Sequence, residues 1–320
     1  MPKNGAQSSK KSPAPACARF RKCSMPVRQQ TEAAIGVDVG GTRIRAGRID
    51  ASGRILDRII EPVVSNQEGF VSQILRMIST VQRPGDQRVG VGLPGRVRAR
   101  SNEIISAGYL DIAGIDLATG IERQTGLSAR LDNDAMMALL AEVHVADADD
   151  GDLALMVTVG TGIGGAIALA GMPWHGGDFA GQFGHIIVSE TGPVCNCGRT
   201  GCVETFSSGT ALARLIKEAG FPEDTRAETL FCMAEQEDST ARAVLQTWAG
   251  PMQRALQTLV AVVDPDRIVI GGGLGAEMCR ALHLLPENGS WFSTPIRPAK
   301  LGDDAGVIGA GLHALQEENG

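Results

Sequence analysis

Between residues 182 and 204 the chain reads QFGHIIVSETGPVCNCGRTGCVE. Cys195, Cys197 and Cys202 crowd into eight positions, and His185 stands ten residues before the first of them. The remaining cysteines, Cys17, Cys23, Cys232 and Cys279, are scattered. Three thiolates and one imidazole complete a tetrahedral ligand set for zinc, with no position left for water, so the chemistry expected of the cluster is structural. A second group of residues suits phosphate. Glycines gather at Gly40–Gly41, in GTGIGG at 160–165 and at Gly271–Gly273. Backbone N–H groups in such turns can cradle a polyphosphate from two sides. Thr42 and Thr161 add hydroxyl donors, and Asp38 stands where it could hold a metal-bound water. Asp134, in DNDA, is a carboxylate ahead of a helical run. From the residues alone it reads equally as a helix cap or as a general base for a hydroxyl.

These residues must be carried by alternating strands and helices. Ala34–Val39 is an apolar strand ending at paired glycines, and TRIRAGRID beyond it alternates without helical periodicity. The first glycine loop therefore joins two strands in a hairpin. A Walker loop or a dinucleotide fingerprint would open a helix instead. A third strand at Ile55–Ile60 precedes a helix with Phe70, Ile74, Leu75 and Ile78 on one face. RVGVGLPGRV reads as a strand entering a Pro-Gly loop, and LSARLDNDAMMALLAEV as strand, polar turn and helix capped by Asn133 or Asp134. The pattern then restarts: a strand at Leu153–Val159, the glycine turn GTGIGG and a strand AIALAG. Helical periodicity follows over 207–219 and 239–263, then a buried strand RIVIG entering a glycine-rich helix start, and a closing helix AGVIGAGLHALQ. Two hairpin-led halves of this kind predict a duplicated α/β fold with a cleft between lobes, where ligands of such proteins sit.

Bulk properties narrow the function. The 320 residues are 43% hydrophobic and 21% charged, an ordinary composition for a globular protein with two substantial cores. No apolar run has the length to span a bilayer. The first thirty residues hold Lys3, Lys10, Lys11, Arg19, Arg21, Lys22 and Arg28 and no acid. Removing those seven positive charges from the net −6 leaves −13 on the rest, which argues against a nucleic-acid partner. Seven cysteines, three of them clustered, suit a reducing, cytoplasmic setting better than a disulfide framework. Residues 1–32 are rich in Ser, Pro, Ala, Lys and Arg and read as a disordered basic tail; it resembles a transit peptide in lacking acids, and Met25 is an alternative start.

IGVDVGGTRIRAG, GLPGRV, DNDA, VGTGIGGAIALAG, GHIIV, CNCGRTGCVET and IVIGGGLG together resemble the motif series of the ROK family of sugar kinases, in order, from about Ala33 to about Leu315. That family belongs to the hexokinase–actin ATPase superfamily. The resemblance implies a duplicated hexokinase/actin-like (ribonuclease H-like) two-lobe fold with an interlobe cleft. Residues 33–132 would form the N-terminal lobe, 133–303 the C-terminal lobe, and 304–320 a helix packing back on the N-terminal lobe. It implies ATP and Mg²⁺, with Asp38, Gly40, Gly41, Thr42, Arg43, Thr161 and Gly162 around the phosphates, and Gly272 and Gly273 closing over the nucleoside. Asp134 would be the catalytic base, while Asn133, Gln182, His185 and Glu204 would join it in binding the sugar. His185 would serve both the sugar and the zinc. A sugar or sugar-like substrate, no nucleic acid, no membrane and a homodimer complete the expectation. Two positions depart from the pattern. Gln182 stands where the family has Glu, and Tyr109 near where it often has Asn, which points to an acceptor other than plain glucose, such as an amino sugar or a cyclitol. His144, Trp174 and His175 are expected at surface or packing positions. The rivals are a sugar-responsive repressor, which would need an N-terminal helix-turn-helix that residues 1–32 do not suggest, and a catalytically silent sugar-binding protein.

Overall fold

The computed structural model describes residues 32–64, 66–108, 110–146, 151–286 and 294–316. The basic tail, apart from Glu32, and Tyr109 lie outside the described residues. Strands β1 (Ala33–Val39), β2 (Arg43–Asp50) and β3 (Ile55–Pro62) form an antiparallel meander, followed by helix α1 (Gln67–Val81) and β4 (Arg88–Leu93). A small hairpin of β5 (Arg96–Arg98) and β6 (Glu103–Ser106) leads through α2 (Leu117–Thr125) to β7 (Ser128–Asn133) and α3 (Asp134–Ala141). The second half opens with β8 (Leu153–Val159), β9 (Ile163–Leu169) and the short β10 (Met172–Pro173). Helices α4 (Glu204–Ser207), α5 (Gly209–Glu218), α6 (Ala227–Glu235) and α7 (Ser239–Val263) follow, then β11 (Arg267–Gly271), α8 (Gly275–Leu282), β12 (Ile296–Pro298) and α9 (Ala305–Leu315).

The two large sheets have one strand order, β3-β2-β1-β4-β7 and β10-β9-β8-β11-β12. In each, a meander supplies the antiparallel side, and two further strands run parallel to the first strand of the meander. This is the duplication expected from the repeated hairpin pattern. No helix among the described residues is long and apolar enough to cross a membrane.

Several local readings shift. The strand expected from AIALAG begins earlier, at Ile163, because a two-strand hairpin needs only a short turn and the glycines at 164 and 165 continue the ladder opposite Thr158 and Val157. The run at 207–219 is interrupted where Ser208 accepts from the Ala211 N–H and starts α5. No turn separates β7 from α3: Asn133 is the last strand residue and the cap, and Asp134 the first helical one.

Helices α3 and α9 exchange halves. The apolar face of α3 (Met136, Met137, Leu140) packs on Ala154, Met156 and Ala166 of the second sheet. Helix α9 lies instead on β1, β4 and β2 of the first. Its approach is backbone to backbone. A Cβ on Gly36 would overlap the Val307 carbonyl, one on Gly90 the Ala310 carbonyl, and one on Gly309 the Met137 carbonyl of α3. Glu142, wholly buried, accepts from the N–H groups of Lys300 and Leu301 at 2.8 Å each and so ties the end of α3 to the segment entering α9.

Overpacking a close-packed interior against main chain has no cheap relief. Gly36→Ala and Gly309→Ala are each expected to destabilise by about 3 kcal/mol or more. Gly120→Ala is the control: it lies within α2 with open space at its Cβ position. It should stabilise by roughly 0.5–1 kcal/mol. Urea unfolding of the three variants checks both signs.

Candidate active site

The ends of the parallel strands set the site. Asp38 on β1 is level with Gly92 on β4, and Gly92 with Asp132 on β7. Asp134 follows two residues on, at the first turn of α3. Asn133 fixes the corner: its Oδ1 accepts from the Ala135 N–H at 2.9 Å, and its Nδ2 donates to the Gly95 carbonyl at 2.9 Å. Asp134 Oδ1 also accepts from the Ala135 N–H, at 2.8 Å. Burial, aided by the charge of Asp38, pushes the Asp134 carboxyl up to about 7. Burial pushes Asp38 up to about 6, although Arg45 at 3.6 Å works against it. Asp303, which holds the other arm of Arg45 at 2.6 Å, raises Asp38 slightly. Two carboxylates, each destabilised as anions, thus stand at one edge of the first sheet.

One glycine turn follows β1 of the first sheet, and two lie at the strand ends of the second. The first is tied by Gly40 N–H to the Arg43 carbonyl at 3.0 Å, leaving Gly41, Thr42 and Arg43 exposed at its tip. The second is tied by Gly160 N–H to the Gly162 carbonyl at 3.0 Å, with Thr161 exposed. The third packs on it: Gly272, at φ +82°, presses against the Val159 backbone, and the Leu274 N–H donates to the Val159 carbonyl at 2.9 Å. The left-handed backbone and the close contact together exclude a side chain at Gly272. Gly273 is exposed beside it.

A small pocket, open to solvent, lies where β5, the end of β7 and the chain after β10 meet. Asn133 and Gln182 line it, with Gly95, Arg96, Asp132 and His175. Asp134, His185 and Glu204 are outside its lining. Glu204 instead accepts from the Ile163 N–H at 2.9 Å through Oε2, behind the second glycine turn. The expectation for His175 is corrected: it is neither a surface nor a plain packing residue. Its Nε2 lies 2.8 Å from Asp132 Oδ2, and it faces the pocket. Nothing in the spacing signalled this pair, because 43 residues separate its members. Trp174 is exposed, as expected, and His144 packs with Nε2 2.9 Å from the Gly171 carbonyl.

His185, on a 3-10 turn at Phe183–His185, meets the three cysteines as the spacing predicts. One ligand atom from each of the four residues lies within 4.8 Å of all the others. His185 Nδ1 is 3.5 Å from Cys195 Sγ, and Cys197 Sγ is 3.5 Å from Cys202 Sγ. Four donors on a tetrahedron around zinc, with Zn–S near 2.3 Å, would sit about 3.5–3.8 Å apart. The cluster fits that ion.

Matched sheets that exchange a helix, each with a glycine hairpin after its first strand, define a two-lobed α/β protein of the hexokinase/actin-like class. The ROK family model matches residues 34–317. A glucokinase of Halalkalibacterium halodurans is 31% identical over 316 residues, covering 89% of this chain and 96% of that protein. An N-acetylmannosamine kinase of Escherichia coli is 32% identical over 293 residues, covering 89% and 99%. The crystal structure of a ROK family glucokinase from Streptomyces griseus, in complex with glucose and AMPPNP, superposes with a TM-score of 0.73 at 28% identity, covering 89% and 100%. The chain belongs to the ROK family, and within it to the sugar kinases.

Asp134→Asn tests the strand-end carboxylate in two ways. A general base contributes about 10²–10⁴ in kcat, and that loss is expected with ATP affinity little changed. The folded-state pKa of Asp134 is raised from 3.8 to about 7, so the native state favours the protonated form and the anion costs stability as pH rises through that value. The variant should therefore gain Tm relative to wild type at about pH 8 and gain much less at about pH 5. Thermal unfolding at the two pH values checks the sign.

Proposed function

We propose that the protein transfers the γ-phosphoryl group of ATP to the primary hydroxyl of a hexose or close analogue, with Asp134 as base. The enzyme is an ATP-dependent carbohydrate kinase. The observation that supports the residue assignment is the position of Asp134, one residue beyond Asn133 of the pocket wall and near enough to Asp38 for the two charges to repel. A carboxyl held near 7 can take a proton at neutral pH and lose it again. In the forward step the acceptor hydroxyl gives its proton to Asp134, its oxygen bonds to the γ-phosphorus, and the bond from that phosphorus to the bridging oxygen of ADP breaks. Asn133, held on the Gly95 carbonyl, keeps the corner rigid while the hydroxyl is aligned. The three glycine turns, with Thr42, Arg43 and Thr161 at their exposed tips, are the phosphate and nucleoside side of the cleft.

Mg²⁺ would be held through Asp38, where it would neutralise phosphate charge. The fit is electrostatic: a cation offsets the burial that pushes both carboxyls upward, and the repulsion by Asp38 that adds to it at Asp134. Structural Zn²⁺ would be held by His185, Cys195, Cys197 and Cys202, fixing the turn that carries Gln182. Metal analysis of active enzyme is expected to find close to one zinc per chain. Cys197→Ser or Cys202→Ser should lower Tm and release the metal, since structural zinc contributes folding energy directly. Active enzyme free of zinc would overturn that assignment.

The acceptor is read from Gln182. A carboxylate at that position accepts from two hydroxyls, whereas the amide offers one acceptor and one donor. We therefore expect preference for an acceptor other than plain glucose, an amino sugar or a cyclitol. ADP release measured across glucose, N-acetylmannosamine, other amino sugars and cyclitols tests the reading. Gln182→Glu should move the kcat/KM ratio between acceptors toward glucose by roughly 5–150-fold, the value of one buried hydrogen bond lost or reversed. An unchanged ranking would make Gln182 a neutral replacement.

A further inference from the structure

We propose that His175 is an acceptor-binding residue, oriented by Asp132, which selects among acceptors by a hydrogen bond between its Nδ1 and an oxygen of the acceptor. The proposal rests on the sugar-kinase reading and assigns a residue that the metal cluster, the base and the glycine turns leave unused.

The geometry begins at Asp132. Its side chain is 1% exposed, on the strand that delivers Asn133 and Asp134. Oδ1 accepts from the Asn133 N–H at 2.7 Å, and Oδ2 faces His175 Nε2 at 2.8 Å. A buried carboxylate that accepts from a ring nitrogen keeps the proton on that nitrogen, so Nε2 is committed as a donor. Nδ1, on the other edge of the ring, has no hydrogen-bond partner among the described residues, while the ring lines the same pocket as Asn133 and Gln182. The backbone around the ring is fixed: the His175 carbonyl accepts from Asp178 N–H at 2.9 Å and Ala180 N–H at 3.1 Å. The turn is bound to the opposite half, with Arg98 Nε donating to Asp178 Oδ2 at 3.1 Å. A rigid ring with one nitrogen spoken for and the other open to a pocket is how enzymes aim an imidazole.

The charge state gives the bond its character. Burial pulls the His175 pKa down, but the hydrogen bond and charge of Asp132 outweigh it, and the net shift is upward. Arg100 opposes the protonated form and Asp178 favours it. His313 Nε2, 3.9 Å from Asp132 Oδ2, shares the same carboxylate, but burial holds that imidazole pKa low. With Nε2 committed to Asp132, Nδ1 accepts from a hydroxyl when the ring is neutral and donates to an oxygen when the ring is protonated, and the Asp132 contact favours the protonated ring. A ring hydroxyl matches either state, and the carbonyl of an acylamino substituent matches the protonated ring. A bond from a charged donor is stronger than one from a neutral donor.

The test uses the full-length enzyme, glucose, N-acetylmannosamine and a series of mono-deoxy sugars, with ADP release as readout. His175→Ala should raise the acceptor KM by about 10–100-fold, with kcat and the KM for ATP changed by less than about threefold. One substituent of the series should carry the effect: its removal weakens acceptor binding to wild type but not to the variant. If only acylamino sugars lose affinity in the variant, the oxygen is the acyl carbonyl; if a deoxy sugar masks the loss, it is that hydroxyl. If the bonded oxygen is an acyl carbonyl, the acceptor KM of wild type should rise with increasing pH, because only the protonated ring donates from Nδ1. The base produces the opposite trend, an increase in kcat with pH through Asp134. His175→Gln keeps a donor without titrating, and should recover part of the affinity with a flat pH profile. An acceptor KM within about twofold of wild type in His175→Ala would overturn the inference. So would a loss that is the same for every deoxy sugar and accompanied by a lower Tm, as expected of a purely structural residue. If wild type released no ADP with any acceptor, the kinase reading itself would fall instead.

Discussion

The backbone contact of α9 with β1, β4 and α3 is the constraint on which the site depends. Gly36 and Gly90 let the helix descend onto the first sheet until carbonyls of α9 rest on strand backbone, and Gly309 lets α3 cross it at the same depth. Any Cβ at these positions would lift a helix, and the lift would propagate through a close-packed interior rather than be absorbed. Asp38 is two residues beyond Gly36, and Gly306 of α9 is pressed against its carboxylate. Asp134 begins the helix that Gly309 touches. The separation of the two acids is therefore set by main-chain packing, the least compliant material in the protein.

That packing has an electrostatic cost, which the chemistry uses. Holding Asp38 and Asp134 at one sheet edge, away from water, raises both carboxyls into the neutral range. A fold selected for stability alone would separate or pair them. Arg45 is the cation at hand, but it stands 3.6 Å from Asp38 and shares its charge with Asp303 at 2.6 Å, so the compensation is partial. The remaining imbalance suits a site that receives a divalent cation and a proton during turnover. Asp132 on β7, two residues before Asp134, is also buried, with a main-chain N–H on one oxygen and an imidazole on the other.

Features generated by local sequence were legible. Alternation in TRIRAGRID, the apolar strand at Leu153–Val159 and the glycine turns beside them specified both hairpins, and repetition of the pattern specified the matched sheets. The His/Cys cluster was legible because its ligands sit close in sequence and glycines shape the turn between them. Contacts between distant segments were not. His175 and Asp132 meet only because β10 closes the second sheet beside the end of β7, and neither residue carries a local sign of the other. Glu204 reads as another sugar ligand from its motif, yet the fold turns its Oε2 toward the Ile163 N–H. Glycine readings were split in the same way. Those in turns announce themselves through their neighbours, while Gly36 and Gly90 look like ordinary strand residues until α9 is laid upon them.

Glu204 also shows how the two halves of the chemistry are mechanically joined. It follows the last cysteine of the cluster by two residues and opens α4. Its Oε1 lies 3.8 Å from Cys195 Sγ, and its Oε2 holds the N–H that follows the second glycine turn. On the other side of that turn, the Gly209 N–H donates to the Gly160 carbonyl at 2.7 Å, and Thr210 Oγ1 donates to the Thr161 carbonyl at 2.8 Å. The second glycine turn is thus gripped at both ends by the chain that leaves the His/Cys cluster. The same cluster, through His185, fixes the 3-10 turn that Gln182 precedes. An ion bound by these four residues would brace the second glycine turn and the Gln182 wall of the pocket at once. In the proposed reaction those two surfaces hold the phosphates and the acceptor, and they must keep their spacing during transfer, because misplacement by about 1 Å can cost 10²-fold in rate.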